Sequence, residues 1–181
     1  MMQPNKARTD LWMDLALVAF LVAFDTTARL LPHVPGFMPV AASALFAGRM
    51  LRIPALALVV PLAAMGLSGL ALAGDDWRVT VIVYAAITVP ALAGMLSRRW
   101  RGAAPVAAAM VASSLIFFAV SNFAVWAFSG MYPHTWQGLT ACYVAALPFL
   151  DKTVLGDLFW VGVLFGGAWL VQQMPAARLS R

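Results

Sequence analysis

The sequence predicts an all-α integral membrane protein: a compact bundle of about six transmembrane helices, with an extra short helix at the outer face. Three observations predict it. Hydrophobic residues make up 63% of the 181-residue chain and charged residues only 10%, where a soluble domain carries roughly 25% charged. The mean hydropathy of +0.87 belongs to a chain whose solvent is lipid. Apolar runs recur along the sequence, separated by short polar or proline-containing breaks. Six spans of ~20 residues use about 120 residues, so the chain reads as one transmembrane domain over 1–181 with short loops.

The first span, 11–31, contains Asp14, Asp25 and Arg29 and stops at Pro32-His33-Val34-Pro35-Gly36, which cannot continue a helix. Its basic start (Lys6, Arg8) also suits a cleaved signal peptide. The other apolar runs demand insertion regardless, so an uncleaved span is the better reading. A small-residue span, 38–52, is short for a full crossing. The third, 54–73, carries Pro61 and is expected to bend there. The fourth, 79–96, holds Pro90 and leads into the most basic segment, Ser97-Arg98-Arg99-Trp100-Arg101-Gly102. Pro105 opens the fifth span, 105–128, as a helix-starting proline. Residues 137–150 are apolar but short, and are read as a helix tucked against the outer face. Asp151-Lys152-Thr153 then caps the last span, 154–172.

Counting lysines and arginines orients the bundle. With the N-terminus in the cytoplasm, Lys6, Arg8, Arg49, Arg52, Arg98, Arg99, Arg101, Arg178 and Arg181 lie inside, nine of the 12 basic residues. Arg29, Arg78 and Lys152 lie outside. A seventh span at 137–150 weakens the bias, which favours six. Trp12 and Trp100 at inner ends, with Trp77 and Trp136 at outer ends, fit an interfacial aromatic belt. The expected location is a bacterial inner membrane, multi-pass, with the lipid bilayer as first partner.

Several classes are argued against. The net charge of +5 sits in small clusters between apolar runs, not on one face or tail, which speaks against a nucleic-acid partner. Cys142 is the only cysteine, so neither an intrachain disulfide nor a multi-cysteine metal site is expected. There is no phosphate-cradling glycine loop with lysine and no HExxH motif. No nucleophile sits in a recognisable turn. No enzyme is expected.

Intramembrane charge marks the candidate site, because an unpaired Asp or Arg near the bilayer centre costs about 2.5 to 3.5 kcal/mol on insertion scales. Asp25 and Arg29 are four apart, with the acid first, the favoured order for a helical pair. They either stabilise the outer end of the first span as an ion pair or, with His33, line a pocket open to the outside. Asn122 and Trp126 are also four apart. They offer either an interhelical hydrogen bond or one polar contact and one stacking surface for a ligand. Tyr132 and His134, in the loop Met131-Tyr132-Pro133-His134-Thr135-Trp136, are either belt residues or a lid. Cys142 is either a small buried residue or a soft ligand to a metal-centred molecule. Asp157 sits where a helix dipole favours a carboxylate, or helps close the pocket. Ala19 and Ala23 form a small-xxx-small pair that permits close approach of another helix.

Two stretches carry a resemblance. One runs Ala28-Arg29-Leu30-Leu31-Pro32-His33-Val34-Pro35-Gly36-Phe37-Met38-Pro39-Val40 and on into Ala44-Leu45-Phe46-Ala47-Gly48. The other comprises Ser121-Asn122-Phe123-Ala124-Val125-Trp126, Met131-Tyr132-Pro133, Ala141-Cys142-Tyr143-Val144-Ala145-Ala146-Leu147-Pro148-Phe149 and Gly156-Asp157. Together they resemble a family of small, uncharacterised bacterial inner-membrane proteins. That family in turn is similar to the substrate-binding S components of energy-coupling-factor vitamin transporters. The resemblance implies six helices holding a vitamin or metal ion near the outer face under lid-like loops. It also implies an ATP-driven coupling module that meets the first span at its small-xxx-small stretch, here Ala19 and Ala23. Solitary cobalamin-specific members set a cysteine against cobalt. Cys142 lies outside the loop where that cysteine belongs, so the role does not transfer.

The resulting expectation is a substrate-capturing subunit or solitary transporter for a vitamin-like micronutrient, cobalamin-like or other. Asp25, Arg29, His33, Asn122, Trp126, Tyr132, His134, Cys142 and Asp157 are then expected to converge at the outer face. The alternatives are a non-transporting scaffold or assembly protein, and a membrane enzyme acting on a lipid or isoprenoid.

Overall fold

A computed structural model describes residues 4–32, 36–72 and 76–173, with side chains from residue 8 onward. His33 therefore lies outside the described residues. Seven helices make up the described chain: α1 Pro4–Leu30, α2 Val40–Met50, α3 Leu56–Gly69, α4 Trp77–Ala86, α5 Val89–Ser97, α6 Ala103–Phe128 and α7 Trp136–Gln173. The all-helical expectation holds, with no strand among the described residues. Four helical stretches are long and apolar enough to cross a membrane: Arg8–Leu30, Trp77–Ser97, Ala103–Phe128 and Trp136–Gln173. Helix is the form in which a segment satisfies its own backbone in lipid.

The expected boundaries need four corrections. The 38–52 and 54–73 segments shrink to 11 and 14 helical residues, because proline-containing connections take up their starts. The 79–96 segment starts at Trp77 and divides into α4 and α5. Pro90 has no N–H to give and its ring blocks the carbonyl four residues back, which is Ala86, the last residue of α4. Ile87 and Thr88 bridge the break through tighter bonds, with Thr88 N–H donating to the Ala85 carbonyl at 3.2 Å. Finally, 137–150 is no separate outer-face helix. It is the first part of the 38-residue α7, which runs through Pro148. Asp151-Lys152-Thr153 does not cap anything: the Thr153 hydroxyl donates to the Phe149 carbonyl at 2.8 Å, as a threonine inside a helix does.

Helix α2 is the axis of the bundle. Val40 and every residue from Ala42 to Gly48 are buried, and α2 packs against α1, α3, α5, α6 and α7. Around it, α1 lies beside α3, α3 beside α4 and α5, those two beside α6, and α6 beside α7. The Phe24 and Trp160 rings, 5.5 Å apart, close the circle between α1 and α7. Small residues make the axis possible. A Cβ on Gly48 would collide with the Ala91 carbonyl, and one on Gly94 with the Leu45 carbonyl, so α2 and α5 touch backbone to backbone.

Contacts between neighbours fix their directions. Asp14 accepts from Ile53 N–H at 2.9 Å at one end of α1, and Arg29 donates to Ser68 at 2.7 Å at the other, so α1 and α3 run parallel. In contrast, Asp25 meets Ser43 while Arg29 meets Met38, so α2 runs back down α1.

Length explains what α2 leaves open. Eleven residues rise about 16 Å, roughly half of a ~30 Å hydrocarbon core. The chain from Gly36 to Pro39 therefore descends into the bundle as non-helical backbone before α2 begins. Gly36 makes the turn with φ +81°, and a Cβ there would lie 2.8 Å from the Thr153 hydroxyl. Gly156 gives the same segment room, since its own Cβ would stand 3.0 Å from Phe37 Cα. Irregular backbone at such depth survives only where protein buries it or a cavity adjoins it.

Candidate functional site

Beside this descending segment lies a cavity of about 340 Å³. Its floor is the start of α2, Val40 and Ala41, with Met38 just above. Met65 of α3, Val83 and Ile87 of the α4–α5 unit, and Phe117 of α6 supply apolar walls. Two ionisable side chains also line it, Arg29 from α1 and Asp157 from α7. Proline 90, the residue that breaks the α4–α5 span, forms part of the lining.

Each charge is held by a serine on a neighbouring helix. Arg29 donates from Nε to the Ser68 hydroxyl at 2.7 Å and points Nη1 at the Met38 sulfur, 3.8 Å away. Asp157 is 3% exposed and accepts from the Ser114 hydroxyl at 2.6 Å. The single ion pair among the described residues joins Arg52 and Asp10, so Arg29 and Asp157 are not paired with each other or with another charge. The expected Asp25–Arg29 ion pair is therefore corrected. Asp25 turns instead to α2, where the Ser43 hydroxyl donates to Oδ1 at 2.8 Å. Its Oδ2 is buried without a hydrogen bond, as are the Thr26 hydroxyl and the Trp160 indole nitrogen.

The remaining candidates gather elsewhere, at the hairpin between α6 and α7. Asn122 spends its amide on the Phe118 carbonyl of its own helix at 2.8 Å. The cross-helix bond comes from Cys142, whose thiol donates to the Asn122 backbone carbonyl at 3.4 Å. Trp126 donates to the Pro133 carbonyl at 3.1 Å and stacks edge-on against His134, 5.6 Å between ring centres. Tyr132 lies with Asn122 and Cys142 along a shallow groove of about 190 Å³. A further pocket of about 240 Å³ lies between this groove and the cavity. It shares Asn122 with the groove and Phe117 and Thr153 with the cavity.

The eight expected site residues that are described thus do not converge on one pocket. Arg29 and Asp157 share the cavity, and Asp25 sits below Arg29 on the same helix face. Trp126, His134 and Cys142 join the two arms of the hairpin, with Asn122 and Tyr132 along the groove beside them. Sequence reasoning missed the serines at 43, 68 and 114 that orient the three charged residues. Their signal was their position inside apolar runs, where a hydroxyl needs a partner. A serine can satisfy that need on its own helix, which hides its cross-helix role. Ala19 and Ala23, expected at a partner interface, lie exposed on the face of α1 turned away from the bundle.

No curated protein and no solved structure matches the chain. A family model does match, over residues 9–178, its description being a family of unknown function (DUF6580), and the chain belongs to that family.

Proposed function

We propose that this protein is a substrate-binding membrane subunit, or a solitary transporter, for a vitamin-like micronutrient, in the manner of the S components it resembles. The carrying observation is the cavity over the short central helix, lined by irregular backbone and by two opposite charges. Broken or shortened helices beside a polar cavity at membrane depth are how transport proteins build binding sites. In this reading α1, α2, α3, the α4–α5 unit, α6 and α7 make six crossings of a bacterial inner membrane. The N-terminus is cytoplasmic, and the Arg29 end, with the cavity, faces outward. At about 340 Å³ the cavity is at the small end of the ~300–1,000 Å³ range of ligand pockets, which favours a small vitamin over a corrinoid. Ala19 and Ala23 leave α1 an open face for an ATP-driven coupling module.

The test is thermal stability of purified protein in detergent against vitamins, corrinoids, haem and metal ions. A true ligand raises the unfolding midpoint progressively with concentration, and Ala41→Phe, which fills the cavity floor, removes the effect. A second reading, a non-transporting scaffold, is favoured by the local pairing of Asn122, Trp126 and Cys142 at the hairpin. It wins if no compound stabilises the protein and Arg29→Ala only lowers the midpoint.

A further inference from the structure

We infer that the cavity takes a small zwitterionic molecule, its anionic group on Arg29, its cationic group on Asp157 and its body against the apolar walls. This rests on the binding-site reading above and names the chemical class that site accepts.

The argument is one of charge balance in a confined space. Arg29 and Asp157 line the same cavity, yet each is tied to a different helix. Ser68 holds the guanidinium on the α3 side, and Ser114 holds the carboxylate on the α6 side. The central helix α2 packs against both α3 and α6 and lies between them. Held on separate helices, the two side chains form no ion pair with each other.

A guanidinium stays charged in any protein setting and offers five N–H donors in a planar fork. Here one donor meets a hydroxyl and another meets only a thioether sulfur, a weak acceptor. The rest have no protein acceptor among the described residues. A carboxylate or similar planar anion matches that fork. In the same cavity Asp157 accepts one serine hydroxyl through Oδ2. Its other lone pairs suit an ammonium or amidine-type donor.

A ligand with one charge would satisfy one of the two side chains and cover the other, unpaired, in a mostly apolar cavity. Leaving a desolvated ionised group without a partner is unfavourable. A ligand with both charges satisfies both walls. Met65, Val83, Ile87 and Phe117 then accommodate a flat or compact apolar body between the two ends.

Three matched probes test this: 4-(aminomethyl)benzoate, which carries both charges across a ring, 4-methylbenzoate with only the anion, and 4-methylbenzylamine with only the cation. Binding is read by thermal shift and calorimetry on the intact protein in detergent. The zwitterion is expected to bind at least about tenfold more tightly than either analogue. Arg29→Gln should move the preference toward the amine, and Asp157→Asn toward the benzoate. Should either substitution prevent folding, Arg29→Met and Asp157→Ser serve in its place. A singly charged probe that binds as well as the zwitterion overturns the inference. So does a probe ranking that neither substitution changes. If a singly charged vitamin binds in the cavity while the zwitterion does not, this assignment falls and the binding-site reading stands. If neither the probes nor the vitamin panel stabilise the protein, both fall.

Discussion

Arg49 and Arg98 close each other's helix ends. Arg49, at the end of α2, donates to the Ser97 carbonyl and hydroxyl and to the Trp100 carbonyl beyond α5, the last at 2.7 Å. Arg98, just past α5, donates to the Gly48 and Leu51 carbonyls of α2, each at 2.7 Å. Helix C-termini carry unpaired carbonyls and partial negative charge, and two parallel helices here exchange cations to satisfy them.

Removing one arginine strands two carbonyls at a close helix contact, which costs about 1–3 kcal/mol. Arg98→Ala should therefore lower the thermal midpoint in detergent clearly. Arg99→Ala and Arg101→Ala, in the same basic segment and exposed like Arg98 but without its bonds to the end of α2, should stay within about 0.5 kcal/mol of the parent. Equal effects from all three would show that the segment acts only through its charge.

The glycines sort in the same way. Gly48→Ala and Gly94→Ala place a methyl group against backbone carbonyls of Ala91 and Leu45, so α2 and α5 must separate. Overpacking of this kind costs about 1–3 kcal/mol. Pro90 lies next to the contact and lines the cavity, so either substitution should also weaken ligand stabilisation. Gly162→Ala and Gly166→Ala meet open space and gain helix propensity of about 1 kcal/mol at most. Unfolding midpoints of the four variants side by side check the contrast.

What the sequence could reveal follows from which forces act locally. Composition and apolar runs located three of the four membrane-length helical stretches and divided the fourth, Trp136–Gln173, in two, because burial in lipid acts on each helix separately. Proline was ambiguous. Pro90 divides its helix and Pro148 does not, although each removes the same backbone donor. Asp25 and Arg29 were visible as costly charges, but their spacing suggested a bond to each other. The structure gives them Ser43 and Ser68, helices distant in sequence. Asn122 to Cys142 was legible as a cluster and illegible in purpose, since the same residue types serve a lid or a hairpin clasp.

Cys142 is 2% exposed and bonded to Asn122, so its thiol should react with maleimide slowly in the folded protein and fast once unfolded. As the one cysteine in the chain, it reports opening of the hairpin directly. Asn122→Ala keeps the backbone carbonyl that the thiol uses, and should leave the labelling rate nearly unchanged. Gly138→Ala, whose methyl collides with the Pro133 carbonyl, should disturb the hairpin and raise it. Rapid labelling of the parent protein would contradict the packed α6–α7 seam.

Two aspartates bonded to serines, Asp25–Ser43 and Asp157–Ser114, look alike but should behave differently. Asp25 is fully buried between α1 and α2 and does not line the cavity. Ser43→Ala removes its only hydrogen bond among the described residues, and should cost about 1–3 kcal/mol or more, since the stranded group is a carboxyl. Adding Asp25→Ala to that variant should restore part of the loss, because no buried acid remains to strand. Neither change should alter which probe the protein prefers. Ser114→Ala frees an aspartate that opens onto the cavity, where water or ligand takes up the lost bond, so its stability cost should be smaller. Its effect should appear in ligand preference instead, with weakened selection for a cationic group. Midpoints and probe rankings measured on the same three variants separate an acid that holds helices from one that holds a ligand. An unchanged ranking in Ser114→Ala together with a large loss of stability would assign both pairs to the scaffold.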